Sequence, residues 1–356
     1  MTIKDIPTLK IGNLEINPPI IQGGMGVRVS RASLAAAVAN EGCAGVIASV
    51  GLGDYENNPA SKFVEINNDA LRAEIALARS KSKGILGVNV MVVLSNYEEF
   101  LQVCAEENVD LVISGSGLPL DLPKFFVGKR TKLIPIVSSA RALNIICRKW
   151  KQNYDRLPDA VIVEGPMAGG HMGYHYDDVV NNKTMKLEDI VVEVVAFAKT
   201  QESPIPVIAA GGVFDGADIA KFLKLGASGV QMATRFVCTE ECDVDIKFKQ
   251  AYIDAKKEDL TIINSPVGLP GRVLRNEFVD RVKAGETVPF KCRYRCLRSC
   301  DPKTVPYCIA QVLGNSARGN MENAFVFAGS NAYRCTEIIP VKTLVNKLKE
   351  EIAANL

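Results

Sequence analysis

The sequence predicts an α/β fold of the (β/α)8 TIM barrel class, with a smaller C-terminal lid segment. Three observations predict it. Short, near-continuous apolar runs alternate with helix-length amphipathic segments, as parallel strands covered on both faces require. Eight such runs fall between about residues 15 and 240, the count of the barrel. Most runs end in glycine or a small polar residue, and in a barrel those ends gather at one mouth. A doubly wound sheet is the competitor. Its first turn should carry G-x-G-x-x-G with an acid at the next strand end, and this chain lacks that pattern.

In order, residues 19–26 read as a strand entering a glycine turn. Ser30 reads as the N-cap of an alanine-rich helix that Gly42 ends. Residues 44–49 form the second strand, with a helix over 67–82. The third strand, 85–92, leads into a helix over 97–107. Residues 109–115 and 133–139 are the fourth and fifth strands, each followed by a helical pattern. The sixth is 159–164, the seventh 206–212 and the eighth 229–236. Turn-rich residues 265–272 enter a helix bearing Arg and Lys, and residues 339–354 form an amphipathic helix with Leu344, Val345 and Leu348 on one face.

The strand ends define a candidate site. Gly23, Gly24, Met25, Asn89, Ser114, Gly115, Ser138, Ser139, Glu164, His171, Gly211, Gly212 and Thr234 are expected to face one cavity. The stretch 164–175 is glycine-rich, so its backbone N–H groups can approach a ligand closely. It also holds both histidines of the chain, and histidine suits proton transfer near neutral pH. Residues 209–213 and 231–235 end strands seven and eight, where barrels frequently bind phosphate through backbone N–H groups. Gly211 and Gly212 would let the backbone approach, and Thr234 would add a hydroxyl.

Composition narrows the function. The 356 residues are 47% apolar and 23% charged, enough for a large core. Lysine and arginine number 42 against 40 acids, so neither a nucleic-acid surface nor an anionic-membrane surface is expected. No signal peptide or membrane-length apolar run is visible, and a soluble, cytoplasmic chain is expected. Ten cysteines in that setting read as thiols or metal ligands, not as a disulfide framework.

Pro19-Ile20-Ile21-Gln22-Gly23-Gly24-Met25-Gly26, Gly87-Val88-Asn89, Ala168-Gly169-Gly170-His171, Pro206-Val207-Ile208-Ala209-Ala210-Gly211-Gly212 and Gly229-Val230-Gln231-Met232-Ala233-Thr234-Arg235-Phe236 carry a resemblance. In that order they resemble the nitronate monooxygenase (2-nitropropane dioxygenase) family, which includes the flavin-dependent enoyl-acyl-carrier-protein reductases. The resemblance implies non-covalent FMN. It implies that Gly24 and Met25 line the isoalloxazine, with Gln22 and Gly23 at that turn. Asn89 would contact the flavin or its phosphoribityl chain, and Glu164 would be the acidic ribityl ligand. Ser138, Ala168, Gly169, Gly170, Gly211, Gly212, Gln231, Met232, Ala233 and Thr234 complete the implied cofactor set. His171 matches the catalytic histidine. It would deprotonate a nitroalkane, polarise a nitronate, or position and protonate an enoyl thioester. His175 lies four residues further on, but the glycines argue against a helix there and no H-E-x-x-H is present.

The chain departs from the familiar pattern near its end. Cys292, Cys296, Cys300 and Cys308 follow a C-x3-C-x3-C-x7-C spacing among Lys291, Arg293, Arg295 and Arg298. An iron–sulfur cluster, zinc, and four reduced thiols with no metal all stay open. The expected division is an FMN-binding barrel over 1–239, a lid over 240–335, and a helix over 336–356 that packs on the barrel or in a homodimer contact.

Oxidation of alkyl nitronates by FMN is the leading function. The rival within oxidoreductases is reduction of an enoyl thioester or quinone, with NAD(P)H as donor and acyl carrier protein as partner. The rival outside them is a barrel that binds a phosphorylated metabolite without catalysis. Substrate choice depends on loops 51–66 and 172–187.

Overall fold

The structure, a computed structural model, describes residues 2–53 and 58–356. Residues 54–57 of the first substrate loop lie outside the described residues. A hairpin of β1 (Leu9–Ile11) and β2 (Leu14–Ile16) comes first. Then follow β3 (Ile20–Gln22), α1 (Ala32–Asn40), β4 (Gly45–Ala48), α2 (Phe63–Lys81), β5 (Leu86–Met91) and α3 (Tyr97–Glu106). Next come β6 (Leu111–Gly115), β7 (Lys132–Val137), α4 (Ala140–Tyr154), β8 (Val161–Glu164), the short β9 (Gly170–His171), α5 (Tyr176–Val180) and α6 (Leu187–Lys199). The chain continues with β10 (Val207–Ala210), α7 (Gly216–Lys224), β11 (Gly229–Met232), α8 (Thr234–Val237) and α9 (Ile246–Ile253). It ends with the pair β12 (Leu260–Asn264) and β13 (Pro270–Leu274), then α10 (Glu277–Lys283), α11 (Ile309–Ala317) and α12 (Val341–Asn355).

Eight strands run parallel in the order β3-β11-β10-β8-β7-β6-β5-β4. The ring closes where Ile21 bridges Ala44 in parallel and Gln22 N–H donates to the Ala44 carbonyl at 2.9 Å. This is the predicted TIM barrel. Apolar side chains alternate across the pleat to fill two cores. Ile21, Val46, Leu111, Ile113, Ile134, Ile162 and Ile208 fill the barrel interior, and Leu9, Ile11 and Ile16 of the first hairpin join them. Leu9 packs where a Cβ on Gly229, the first residue of β11, would stand, so the hairpin plugs the N-terminal end. The opposite end is left for the site. The outer faces of the strands pack on the helices in a second core.

Local differences from the sequence reading have physical causes. Ser30 does not cap α1. Its hydroxyl accepts from Met25 N–H at 2.8 Å and so pins the first glycine turn. The start of α1 is held instead by Glu74, which accepts from Ala32 N–H at 2.8 Å, and by Asp243, which accepts from the Leu34 N–H at 3.3 Å. No α-helix follows β6. Gly117, Pro119, Pro123 and Gly128 confine that connection to a 3-10 turn over Leu122–Phe126. Residues 265–272 are the turn and second strand of the β12–β13 hairpin.

The last helix, α12, buries Leu344, Val345 and Leu348 and packs on α7 and α1. Gly216 lets it approach closely, since a Cβ there would lie 2.3 Å from Glu351 Cβ. Residues 240–335 share the outer core with the barrel helices through Phe248, Tyr252, Phe278, Tyr307 and Phe325. Among the described residues no helix is long and apolar enough to cross a membrane.

Candidate active site

A cavity of about 830 Å³ opens at the C-terminal ends of the strands. Gly23, Gly24 and Met25 after β3, Asn89 of β5, Gly115 of β6, Glu164 of β8, and Gln231, Ala233 and Thr234 at β11 wall it. Gly169, Gly170 and His171 face them, so five of the stretches singled out in the sequence meet at one opening.

The other expected site residues stand behind the wall. Gln22 is fully buried, and its amide is spent inside the barrel on the Gly23 carbonyl and on Val46 N–H, the latter at 2.9 Å. Its part is to shape the glycine turn. Met232 is buried too, and its carbonyl accepts from Gly23 N–H at 2.8 Å, which ties that turn to β11. Ser114 hydrogen-bonds Tyr97 Oη and donates to the Val90 carbonyl. Ser138 donates to the Gly173 carbonyl at 3.1 Å, and Ser139 caps α4 by accepting from Ala142 N–H.

Gly211 and Gly212 have φ of +93° and +90°, are partly exposed, and pack against the 165–168 turn. A Cβ on Gly211 would lie 2.9 Å from the Gly165 carbonyl oxygen, and one on Gly212 2.9 Å from Met167 Cβ. Thr234, Ala233, Gly169, Ala328 and Gly329 line the cavity, whereas Gly211 and Gly212 do not. Gly329 N–H donates to Thr234 Oγ1 at 3.3 Å. Gly169 sits so close to this segment that a Cβ would meet Gly329 N at 2.5 Å.

His171 is placed by contacts far away in sequence. It pairs with Gly271 as β9 joins the edge of β13, and its Nε2 lies 2.7 Å from Ser265 Oγ. Phe327 meets the imidazole edge-on, with centroids 4.7 Å apart. Arg272 holds the strand leading to it by donating to the carbonyls of Ala168 at 3.1 Å and Pro166 at 2.6 Å. Tyr174 Oη donates to the Glu164 carbonyl at 2.8 Å. His175, at the start of α5, is exposed.

Burial sets the charges. It pushes His171 down to about 4, so the imidazole is neutral at pH 7 and free to take up a proton. Burial also lifts Glu164 to about 7, with no hydrogen-bond partner for its carboxyl group among the described residues. Gln231 Oε1 is buried without a partner as well. Unpaired acceptors of this kind on a cavity wall mark positions where a bound molecule supplies the donors.

The sequence reading missed Ser265, Arg272 and the segment Phe327-Ala328-Gly329. The small pair Ala328-Gly329 after an apolar run was the available signal, but nothing in it tells which strand end it faces. Cys292, Cys296 and Cys308 line the outer part of the cavity. Among the described residues, no three His, Cys, Asp or Glu side chains are grouped so as to hold a metal ion.

Comparison with known proteins agrees with this geometry. FabK from Thermotoga maritima superposes with a TM-score of 0.73 at 30% identity, over 94% of this chain and 93% of that one. Nitroalkane oxidase from Streptomyces ansochromogenes shares the fold, with a TM-score of 0.73 at 22% identity over 99% and 98% of the two chains. A Mycobacterium tuberculosis (3aS,4S,5R,7aS)-5-hydroxy-7a-methyl-1-oxo-octahydro-1H-indene-4-carboxyl-CoA dehydrogenase is 29% identical over 270 residues, which is 76% of this chain. The match spans 66% of that relative, just under two thirds of its length. A probable nitronate monooxygenase of Staphylococcus haemolyticus is 32% identical over 54% of this chain and 50% of its own. The family described as Nitronate monooxygenase matches residues 7–351, and the chain belongs to this family of oxidoreductases.

Proposed function

We propose that the protein is an FMN-dependent oxidoreductase that oxidises alkyl nitronates, with His171 as the proton-handling group. The observation that carries this reading is the pairing of a neutral, half-buried imidazole with unsatisfied acceptors on the wall of the same cavity. Gln231 Oε1 suits a ring N–H, and the Glu164 carboxyl group suits the hydroxyls of a sugar-alcohol chain. Gly170, at φ +76°, leaves space on its open side, where the nearest heavy atom to a Cβ would be Phe327 Cγ at 3.9 Å. Gly24, Met25 and Asn89 would support the ring. Gly169, Ala233, Thr234 and Gly329 would hold the phosphate.

Bound FMN supplies the redox chemistry. The chain's own residues orient the substrate, keep water out and move a proton. His171 takes that proton on whichever ring nitrogen Ser265 leaves free. Its low proton affinity makes the imidazolium short-lived, so the proton is returned or passed on. In this reading residues 1–239 are the FMN-binding barrel, 240–335 the lid that roofs it, and 336–356 a helix packed on the barrel.

The second reading is an NAD(P)H-dependent reductase of an enoyl thioester, with acyl carrier protein as its partner, or of a quinone. The similarity to FabK and to a dehydrogenase of a CoA ester favours it. There His171 would protonate the substrate.

Absorbance of the purified protein, then oxygen uptake with an alkyl nitronate, tests the first reading. A yellow protein that consumes oxygen is expected. Flavin bleaching by NAD(P)H under anaerobic conditions, without nitronate-dependent oxygen uptake, selects the reductase. A colourless protein that takes up no added FMN overturns both and leaves the phosphometabolite-binding barrel.

A further inference from the structure

We infer that the outer mouth of the cavity is a second anion subsite, suited to the phosphates of a nucleotide and distinct from the corner proposed above for the flavin phosphate. Charge is the first ground. Among the described residues lining the cavity, Arg28, Lys291, Arg293, Arg295 and Arg318 are cationic, and Glu164 is the sole acid. The whole chain carries an excess of only two positive charges, so this excess is local. A cleft lined by one sign of charge concentrates ligands of the opposite sign.

The cations divide by duty. Arg28 is engaged by backbone, since its guanidinium donates to the carbonyls of Gly51 at 2.8 Å, Leu52 at 3.1 Å and Gly53. Lys291, Arg293 and Arg295 are exposed, and no carboxylate among the described residues pairs with them. Residues 287–300 contain no carboxylate at all.

The backbone beneath these three is anchored. Leu297 is buried and bridges Leu94. Ser95 N–H donates to the Cys296 carbonyl at 3.1 Å, and Arg298 N–H to the Val93 carbonyl at 2.9 Å. Between these anchors and Arg293, Arg295 is held at φ +45°, a left-handed conformation uncommon outside glycine. Such outliers gather where ligands are gripped. The bonds fix the segment beyond the end of β5. Going round the ring, β5 stands three strands from β11, past β4 and β3, and Thr234 follows β11. The exposed cations are thus tied to another side of the opening than the corner assigned to the flavin phosphate.

The rings favour a nucleotide over a bare phosphate. Phe63 stacks on Tyr294 with centroids 5.5 Å apart and planes 19° from parallel, and both line the cavity with Phe290. A base can extend an aromatic stack, while guanidinium groups grip phosphate oxygens in pairs. Arg293-Tyr294-Arg295 offers both within three residues. The inference rests on the reading above in one respect: with FMN at the inner end, the outer end takes the nucleotide part of a second reactant. A phosphorylated adenosine is common to NADPH and to a coenzyme A thioester.

The test is calorimetric titration of the purified full chain with adenosine 2′,5′-bisphosphate and with adenosine 3′,5′-bisphosphate, with adenosine as the uncharged control. Binding of at least one bisphosphate, weakened by salt, and not of adenosine is expected. Arg293→Gln and Arg295→Gln should each weaken it about tenfold, the loss of one charge-assisted hydrogen bond. Arg298→Gln, which removes an exposed cation of the same segment that does not line the cavity, should leave it unchanged. Preference for the 2′,5′ isomer assigns the subsite to a nicotinamide donor, and preference for the 3′,5′ isomer to a coenzyme A thioester. Failure of both bisphosphates to bind, adenosine binding as well as they do, or binding indifferent to Arg293 and Arg295 overturns the subsite. Flavin absorbance is read on the same samples. A yellow protein that binds neither bisphosphate sinks the subsite alone, and a colourless one that binds with the stated arginine dependence sinks the flavin reading alone.

Discussion

Glu164 and His171 titrate in opposite senses, and this makes the dryness of the cavity measurable without any cofactor. Burial lifts Glu164 from 4.5 to about 7 and lowers His171 from 6.5 to about 4. Between pH 4.5 and 7 the folded protein keeps a proton on Glu164 that the unfolded chain has released, so stability falls as pH rises. Between pH 4 and 6.5 the unfolded chain binds a proton on His171 that the folded protein refuses, so stability rises with pH. Each displacement is worth at most about 3 kcal/mol, less whatever water in the open cavity screens. In the wild type the two slopes oppose each other from pH 4.5 to 6.5. Single variants expose them. Relative to wild type, Glu164→Gln should gain about 2–3 kcal/mol on going from pH 4.5 to 7.5. His171→Asn should gain a similar amount on going from pH 7 down to 4. Urea unfolding of the flavin-free protein across this range, plotted as variant minus wild type, reads both. Two flat difference lines would mean that both groups are solvated, and the dry, cofactor-shaped site argued here would be wrong.

Three further outcomes follow from the same contacts. Gly169→Ala puts a methyl group 2.5 Å from Gly329 N and 2.6 Å from Ala328 C, both backbone atoms that can yield only by moving the segment. A loss of about 1–3 kcal/mol in unfolding and release of flavin on gel filtration are expected; unchanged flavin content would detach this contact from the site. Arg272→Met strips two carbonyls of a charged donor, so about 2–3 kcal/mol of stability and tight flavin binding should go together. Retention of both would show that the 166–170 turn holds itself. Ser265→Ala frees His171 Nε2 and should lower kcat about tenfold, near 1.4 kcal/mol, with KM little changed and Ser265→Thr restoring most of it. An unaltered kcat removes Ser265 from the positioning of the imidazole.

Much of the barrel was legible because its signals are local. A run such as Ala160-Val161-Ile162-Val163 ending in Glu164 announces a buried strand and its mouth-facing residue within a few positions. The strand ends could therefore be assigned to one opening before any contact was known, and Gly24, Asn89, Glu164, Gln231 and Thr234 do line it. Small residues were the weaker guide. The packing of Gly211 and Gly212 against the 165–168 turn, and the bond from Ser138 to a loop carbonyl, could not be read from the residue types.

What sequence could not give is closure, because it comes from partners about a hundred positions away. Ser265 reaches His171 across 94 residues, Arg272 reaches Ala168 across 104, and Gly329 reaches Thr234 across 95. All three partners come from residues beyond the last barrel strand. The barrel alone presents a ring of small groups at an open mouth. It is the C-terminal segment that orders the imidazole, adds Ala328 and Gly329 to the cavity wall and brings the thiols of Cys292, Cys296 and Cys308 to it. Changes of chemistry within this family should therefore be sought in the residues after β11, which roof a mouth that the strands leave in common.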